Sequence, residues 1–144
     1  MHVSQILTTK GNDVYSIAPD ASVADLVADL HRHGVGALLV RGAAGDLVGI
    51  VSERDVVRAM ASNSGAVEAT VASLMTTEVV TVSYDAAVAD VMRLMTERRF
   101  RHLPVLDEEG TLIGLVSIGD VVKNRIDELE AEREALMEYI TQSS

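Results

Sequence analysis

Apolar residues along this chain follow two spacings, and the same order of spacings is run through twice. A short apolar run, Val14 to Ile17, precedes Val23, Leu26, Val27 and Leu30, which fall at the three- and four-residue intervals of one helix face. Ala37 to Val40 and Leu47 to Val51 flank the turn Gly42-Ala43-Ala44-Gly45 and predict a hairpin. A helix is expected from about Glu53 to Ala61. The second pass offers Val79 to Val82, then Val88, Val91, Met92 and Met95 on a helix face. Leu103 to Leu106 and Leu112 to Ser117 follow around Asp107-Glu108-Glu109-Gly110, and a last helix starts at about Gly119.

The two passes are copies. Sliding the chain by 65 residues sets Val14 to Arg58 over Val79 to Lys123 without a gap, and 16 of the 45 pairs are identical. Chance would give identity at about a tenth of the pairs or a little less. Each copy reads β-α-β-β-α, so the predicted class is α/β, of the α+β kind. A unit of about 50 residues buries too little apolar surface to stand alone. The two are therefore expected to pack through their sheets as a pseudo-twofold pair with clefts between them.

Two stretches lie outside the repeat. Asn63 to Thr70 is a linker of small residues. Arg125 to Ile140 is charged and helical in pattern, with Ile126, Leu129, Leu136 and Ile140 near one stripe that Arg133 interrupts. That break argues against a long coiled coil and predicts a terminal helix packed on the module or on a partner chain.

Composition narrows the function. Hydrophobic residues make up 48% of the 144, with one Phe, three Tyr and no Trp, so the core must be aliphatic. Scarce aromatics and a net charge of -10 speak against nucleic acid, which calls for stacking platforms and a basic face. Without cysteine there is no disulfide, thiolate metal site or thiol catalysis. No signal peptide is evident, and the apolar runs are too short to span a membrane. A soluble, cytoplasmic protein is the expectation.

Ser52-Glu53-Arg54-Asp55 and Ser117-Ile118-Gly119-Asp120 recur where the last strand of each copy meets its last helix. One reading is a capping box, in which Ser and the acidic residue satisfy each other's backbone amides. The other uses the same physics for a ligand. A helix N-terminus offers free N–H groups to phosphate, and a carboxylate one turn in can accept the hydroxyls of a ribose.

The segments GIVSERDVVR and GLVSIGDVVK, with RHLPVLDEEGTLIGLVS, resemble the closing and central stretches of CBS domains, and the resemblance runs from about Val3 to Val122. It implies a stand-alone tandem pair, a Bateman module, with residues 1–62 and 71–124 as its two domains, 63–70 as linker and 125–144 as helical tail. Such pairs bind AMP, ADP or ATP, or less often NAD or S-adenosylmethionine. The resemblance gives Ser117 to phosphate and Asp120 to ribose, with Gly119 between them. Ser52, Arg54 and Asp55 are the counterparts in the first copy. Adenine would meet the backbone of the first strands, at Ser16 and Ile17 or Thr81 and Val82. The strands beginning at Ala37, and at His102 with Leu103 and Pro104, would line the opposite side.

Arg98, Arg99, Arg101 and His102 concentrate positive charge in an acidic chain. Arg98 and Arg99 also suit a helix C-terminus. Arg101 and His102 would meet phosphate, whereas the first copy has Gly36 and Ala37 there, so unequal sites are expected. His31 and His33 read as a surface helix end in preference to a metal site. The resulting expectation is a non-enzymatic, homodimeric sensor of adenine nucleotides, AMP, ADP, ATP or NAD(H), acting on an unidentified target protein. The alternative is an interaction module that uses Ser-x-x-Asp only as caps.

Overall fold

The structure is a computed structural model that describes residues 1–143. Along the chain run α1 (Val3–Lys10), β1 (Ser16–Ile17), α2 (Val23–His33), β2 (Ala37–Arg41), β3 (Leu47–Ser52) and α3 (Glu53–Ser62). A 3-10 turn (Ser64–Glu68) and α4 (Val71–Leu74) lead into β4 (Val82–Ser83), α5 (Val88–Arg98), β5 (His102–Leu106), β6 (Leu112–Ser117) and α6 (Ile118–Gln142). These elements form two compact units. The first is Val14–Val79; the second joins Met1–Asp13 to the chain from Val80 onward.

Each unit holds a three-stranded sheet with the same order, β1-β2-β3 and β4-β5-β6. In the first, β1 runs parallel to β2 with Ile17 opposite Val40, and β2 runs antiparallel to β3 with Ala37 opposite Ser52. In the second, Val82 faces Val105 and His102 faces Ser117, the same register 65 residues on. Even the register shift recurs, at Val40/Arg41 and at Val105/Leu106. The outer strands β1 and β4 have only two residues each, shorter than the apolar runs predicted. Each parallel ladder holds two pairs, Ser16 with Leu39 and Ile17 with Val40 in the first sheet, Val82 with Val105 and Ser83 with Leu106 in the second.

The central strands are buried because they sit between two neighbours and beneath helices: Leu38, Leu39 and Val40 are fully enclosed. Around them the first core gathers Val23, Leu26, Val51 and Val56. The second gathers Val88, Val91, Met95 and Val116, and takes Val3, Ile6 and Leu7 from α1. Each such aliphatic side chain contributes roughly 1.5–3 kcal/mol on burial, so α1 is a structural part of the second unit. α4 plays the same part in the first unit, where Val71 is fully buried. Sequence repeat and compact unit therefore differ by one helix.

Both repeat helices end in left-handed residues. Gly34 closes α2 at φ 63°, and Arg99 closes α5 at φ 57°, the one non-glycine with positive φ among the described residues. The expected linker is partly ordered as the 3-10 turn and buries Ala66. The expected tail is no separate element. It continues α6 without a break, and from Leu129 to Ser143 every residue is exposed, so this length does not pack on its own unit.

Candidate functional site

Each unit brings its Ser-x-x-Asp sequence to the N-terminus of a helix that leaves the sheet's last strand. In the first unit Ser52 caps α3. Asp55 Oδ2 accepts from Ser52 N at 2.8 Å and from Ser52 Oγ at 3.1 Å, while Asp55 N donates back to Ser52 Oγ at 3.4 Å. In the second, Ser117 N donates to Asp120 Oδ2 at 2.8 Å and Asp120 N to Ser117 Oγ at 3.2 Å. Both capping boxes are complete. The amide of the first helical residue is also used in each, by Glu53 N to Gly36 O at 3.0 Å and Ile118 N to Arg101 O at 2.8 Å. The next amides, of Arg54 and Gly119, are the first-turn donors left for an anion beside the serine.

The two boxes differ in what else touches the carboxylate. Lys10 Nζ on α1 donates to Asp120 Oδ2 at 2.6 Å and to Leu115 O at 2.7 Å. Asp55 has only Arg58, whose guanidinium lies 4.0 Å away on a side chain 75% exposed. Burial works to raise the pKa of Asp120. The hydrogen bond from Lys10 and those from Ser117 outweigh it, holding the carboxyl below its ordinary value. A cavity of about 270 Å³ opens beside this pair, lined by Lys10, Asp120, Lys123 and Asp127 among others.

The remaining predicted residues divide between the neighbourhood of these turns and the outer strands. His102 and Ala37 lie directly across the ladder from Ser117 and Ser52. Leu103 and Pro104 are buried in β5, whereas Arg101, Gly119 and Arg54 are exposed. Val82 lies in β4 with Thr81 just before it, and Ser16 and Ile17 form β1. Because β2 and β5 are central, these outer strands sit on the far side of the sheet from the serines. Arg98 lies over the Phe100 ring at 5.2 Å, and His33 stacks on Tyr15 at 3.8 Å. Both contacts give those residues packing roles.

Sequence reasoning missed Lys10. The gapless offset of 65 starts at Val14 and leaves α1 outside the repeat. Setting Thr8-Thr9-Lys10 beside Thr76-Thr77-Glu78 would have exposed the charge reversal.

The site offers an acceptor for hydroxyls, a hydroxyl and an amide for an anion, and nearby cations. Comparison with known proteins shows the family. The family model of the CBS domain matches residues 3–62 and 71–127. The solved CBS-domain protein ATU1752 of Agrobacterium tumefaciens is 41% identical at a TM-score of 0.83, covering 86% of this chain and 92% of that one. The mitochondrial CBS domain-containing protein CBSX3 of Arabidopsis thaliana is 36% identical, over 96% of this chain and 71% of its own length. The cytosolic domain of the Mg2+ channel MgtE, solved in complex with ATP, is 29% identical at a TM-score of 0.62, over 78% of this chain and 45% of that one.

Proposed function

The chain belongs to the CBS-domain family, with two copies of the domain, and from that we propose that it is a regulatory module that binds adenine nucleotides and acts on a separate protein. The ligand class is AMP, ADP, ATP or NAD(H). The observation that carries the reading is the repeated Ser-x-x-Asp turn. Ser117 and the Gly119 amide supply donors for phosphate, and Asp120, kept ionised, supplies the acceptor for ribose hydroxyls. The related domain of MgtE, solved with ATP, supports the ligand class. Arg101 and His102 add cationic or donor groups in the second unit, at the positions of Gly36 and Ala37 in the first. The reading includes no catalytic step, a homodimeric assembly and a cytoplasmic setting; no helix among the described residues is long and apolar enough to cross a membrane.

One observation favours a second reading. Both capping boxes are complete within the chain, an arrangement that suits Ser-x-x-Asp serving the fold alone in an interaction module. Thermal melts with added nucleotide separate the two, since a ligand that binds the folded state raises its stability by mass action. At a hundredfold excess over Kd the gain is about 2.7 kcal/mol. A melting temperature indifferent to AMP, ADP, ATP and NADH at millimolar concentration would leave the capping role alone standing.

A further inference from the structure

Lys10 reaches Asp120 through an insertion in the lead-in segment of the repeat. Val3 N to Ala86 O and Ser4 N to Tyr84 O, both 2.9 Å, dock α1 on the second unit. Val71 N to Ala21 O at 2.8 Å and Ala72 N to Pro19 O at 2.9 Å dock α4 on the first in the same way. The acceptors lie 65 residues apart, the donors 68. The helix side chains confirm the match: Leu7 closes over Gly114 as Met75 closes over Gly49. Counting on from there, Lys10 occupies the place of Glu78. The additional residues are Gly11, Asn12 and Asp13.

That insertion changes how the helix ends. α4 stops at Leu74, and Thr76 then bridges to Ile50, with N to O distances of 2.9 and 3.0 Å. α1 runs on to Lys10 and is closed by Gly11 at φ 96°, a backbone that side chains rarely adopt. Leu115 is the counterpart of Ile50. Its carbonyl receives the Lys10 ammonium in place of a backbone amide. The exchange of one donor for another sets a positive charge on the carboxylate of one unit and leaves a glutamate at the matching position of the other.

We propose that Lys10 makes the Asp120 site selective for a phosphorylated ligand over the uncharged nucleoside. This rests on the reading of Ser117 to Asp120 as a nucleotide site. A bare carboxylate that accepts ribose hydroxyls also repels the phosphate attached to that ribose. Lys10 cancels the repulsion and leaves Asp120 with acceptor capacity, since a carboxylate offers about four lone-pair sites. In the first unit Asp55 lacks this partner: Glu78 stands at the position that matches Lys10, and the cation beside Asp55 is Arg58, 4.0 Å away. The alternative is a brace: the Lys10 ammonium, reaching from α1, satisfies the Leu115 carbonyl on the edge strand β6.

Calorimetric titration of AMP and adenosine into wild type, Lys10→Met and Lys10→Arg tests the proposal. The preference for AMP over adenosine at the Asp120 site should fall about three- to tenfold in Lys10→Met, the effect of one unit charge at a part-exposed site, and less at high salt. Lys10→Arg should restore most of it. If Lys10→Met does not fold, Lys10→Gln keeps a donor for Leu115 O without the charge and serves the same comparison. An unchanged ratio, or equal weakening of both ligands, would make Lys10 a brace and overturn the proposal. Failure of wild type to bind either ligand would instead remove the nucleotide reading on which it stands.

Discussion

Lys10 Nζ lies 2.6 Å from Asp120 Oδ2, an ion pair that ties the helix at the start of the chain to the helix that closes the second repeat. Its first consequence is a dependence of stability on pH. The pKa of Asp120 is lowered in the folded protein, so the unfolded chain binds the proton more tightly. The stabilisation is complete above the unfolded carboxylate value near 4 and is lost as pH falls through the lower folded value. The melting-temperature gap between wild type and Asp120→Asn should therefore stay level from about pH 8 to 5 and narrow below about 4. A gap that does not narrow in acid would show that the carboxylate is not held ionised by its neighbours.

Arg99 carries a local cost that its counterpart avoids. Gly34 closes α2 in the left-handed region freely, while Arg99 takes nearly the same backbone at φ 57° with a side chain attached. Arg99→Gly should raise stability by a few tenths to about 1 kcal/mol, measured by denaturant midpoint. A lower midpoint would mean that the Arg99 side chain makes contacts worth more than the strain.

The repeat, the helix faces, the hairpins and the Ser-x-x-Asp turns were legible in the sequence because each is local and written twice. Burial at Val23, Leu26 and Leu30 matches the face read for α2, whereas Val27, read on the same face, is exposed. What escaped depends on contacts far apart in the chain. α1 joins the second unit although it precedes the first repeat, and Lys10 meets Asp120 across 110 residues. No spacing rule couples such positions. The exposed length of α6, Leu129 to Ser143 among the described residues, is likewise something that a stripe broken by Arg133 leaves undecided.

Apolar side chains on the first unit's helices bear on assembly. Val57 is 68% exposed on α3, Met60 is exposed on the same helix, and Val27 is exposed on α2 and lines one surface pocket with Val57. Burying such a face against a second copy would remove apolar area from water at about 25 cal/mol per Å². The protein should sediment as a dimer at micromolar concentration, and Val57→Lys should shift it toward monomer. A wild-type monomer at that concentration would contradict the homodimeric part of the account.

The central claim is that the turn from Ser117 to Asp120 holds an adenine nucleotide, and calorimetric titration of AMP into wild type and Asp120→Ala tests it most directly. Losing charge-assisted hydrogen bonds to ribose should weaken binding by about 1.5–3 kcal/mol. Losing the cap and its ion pair should cost the fold only about 1–2 kcal/mol, read in parallel by denaturant unfolding. The account predicts a measurable wild-type affinity and a loss of roughly ten- to hundredfold in the variant while it remains folded. A variant that melts lower yet binds AMP as wild type does would show that Asp120 serves the helix alone.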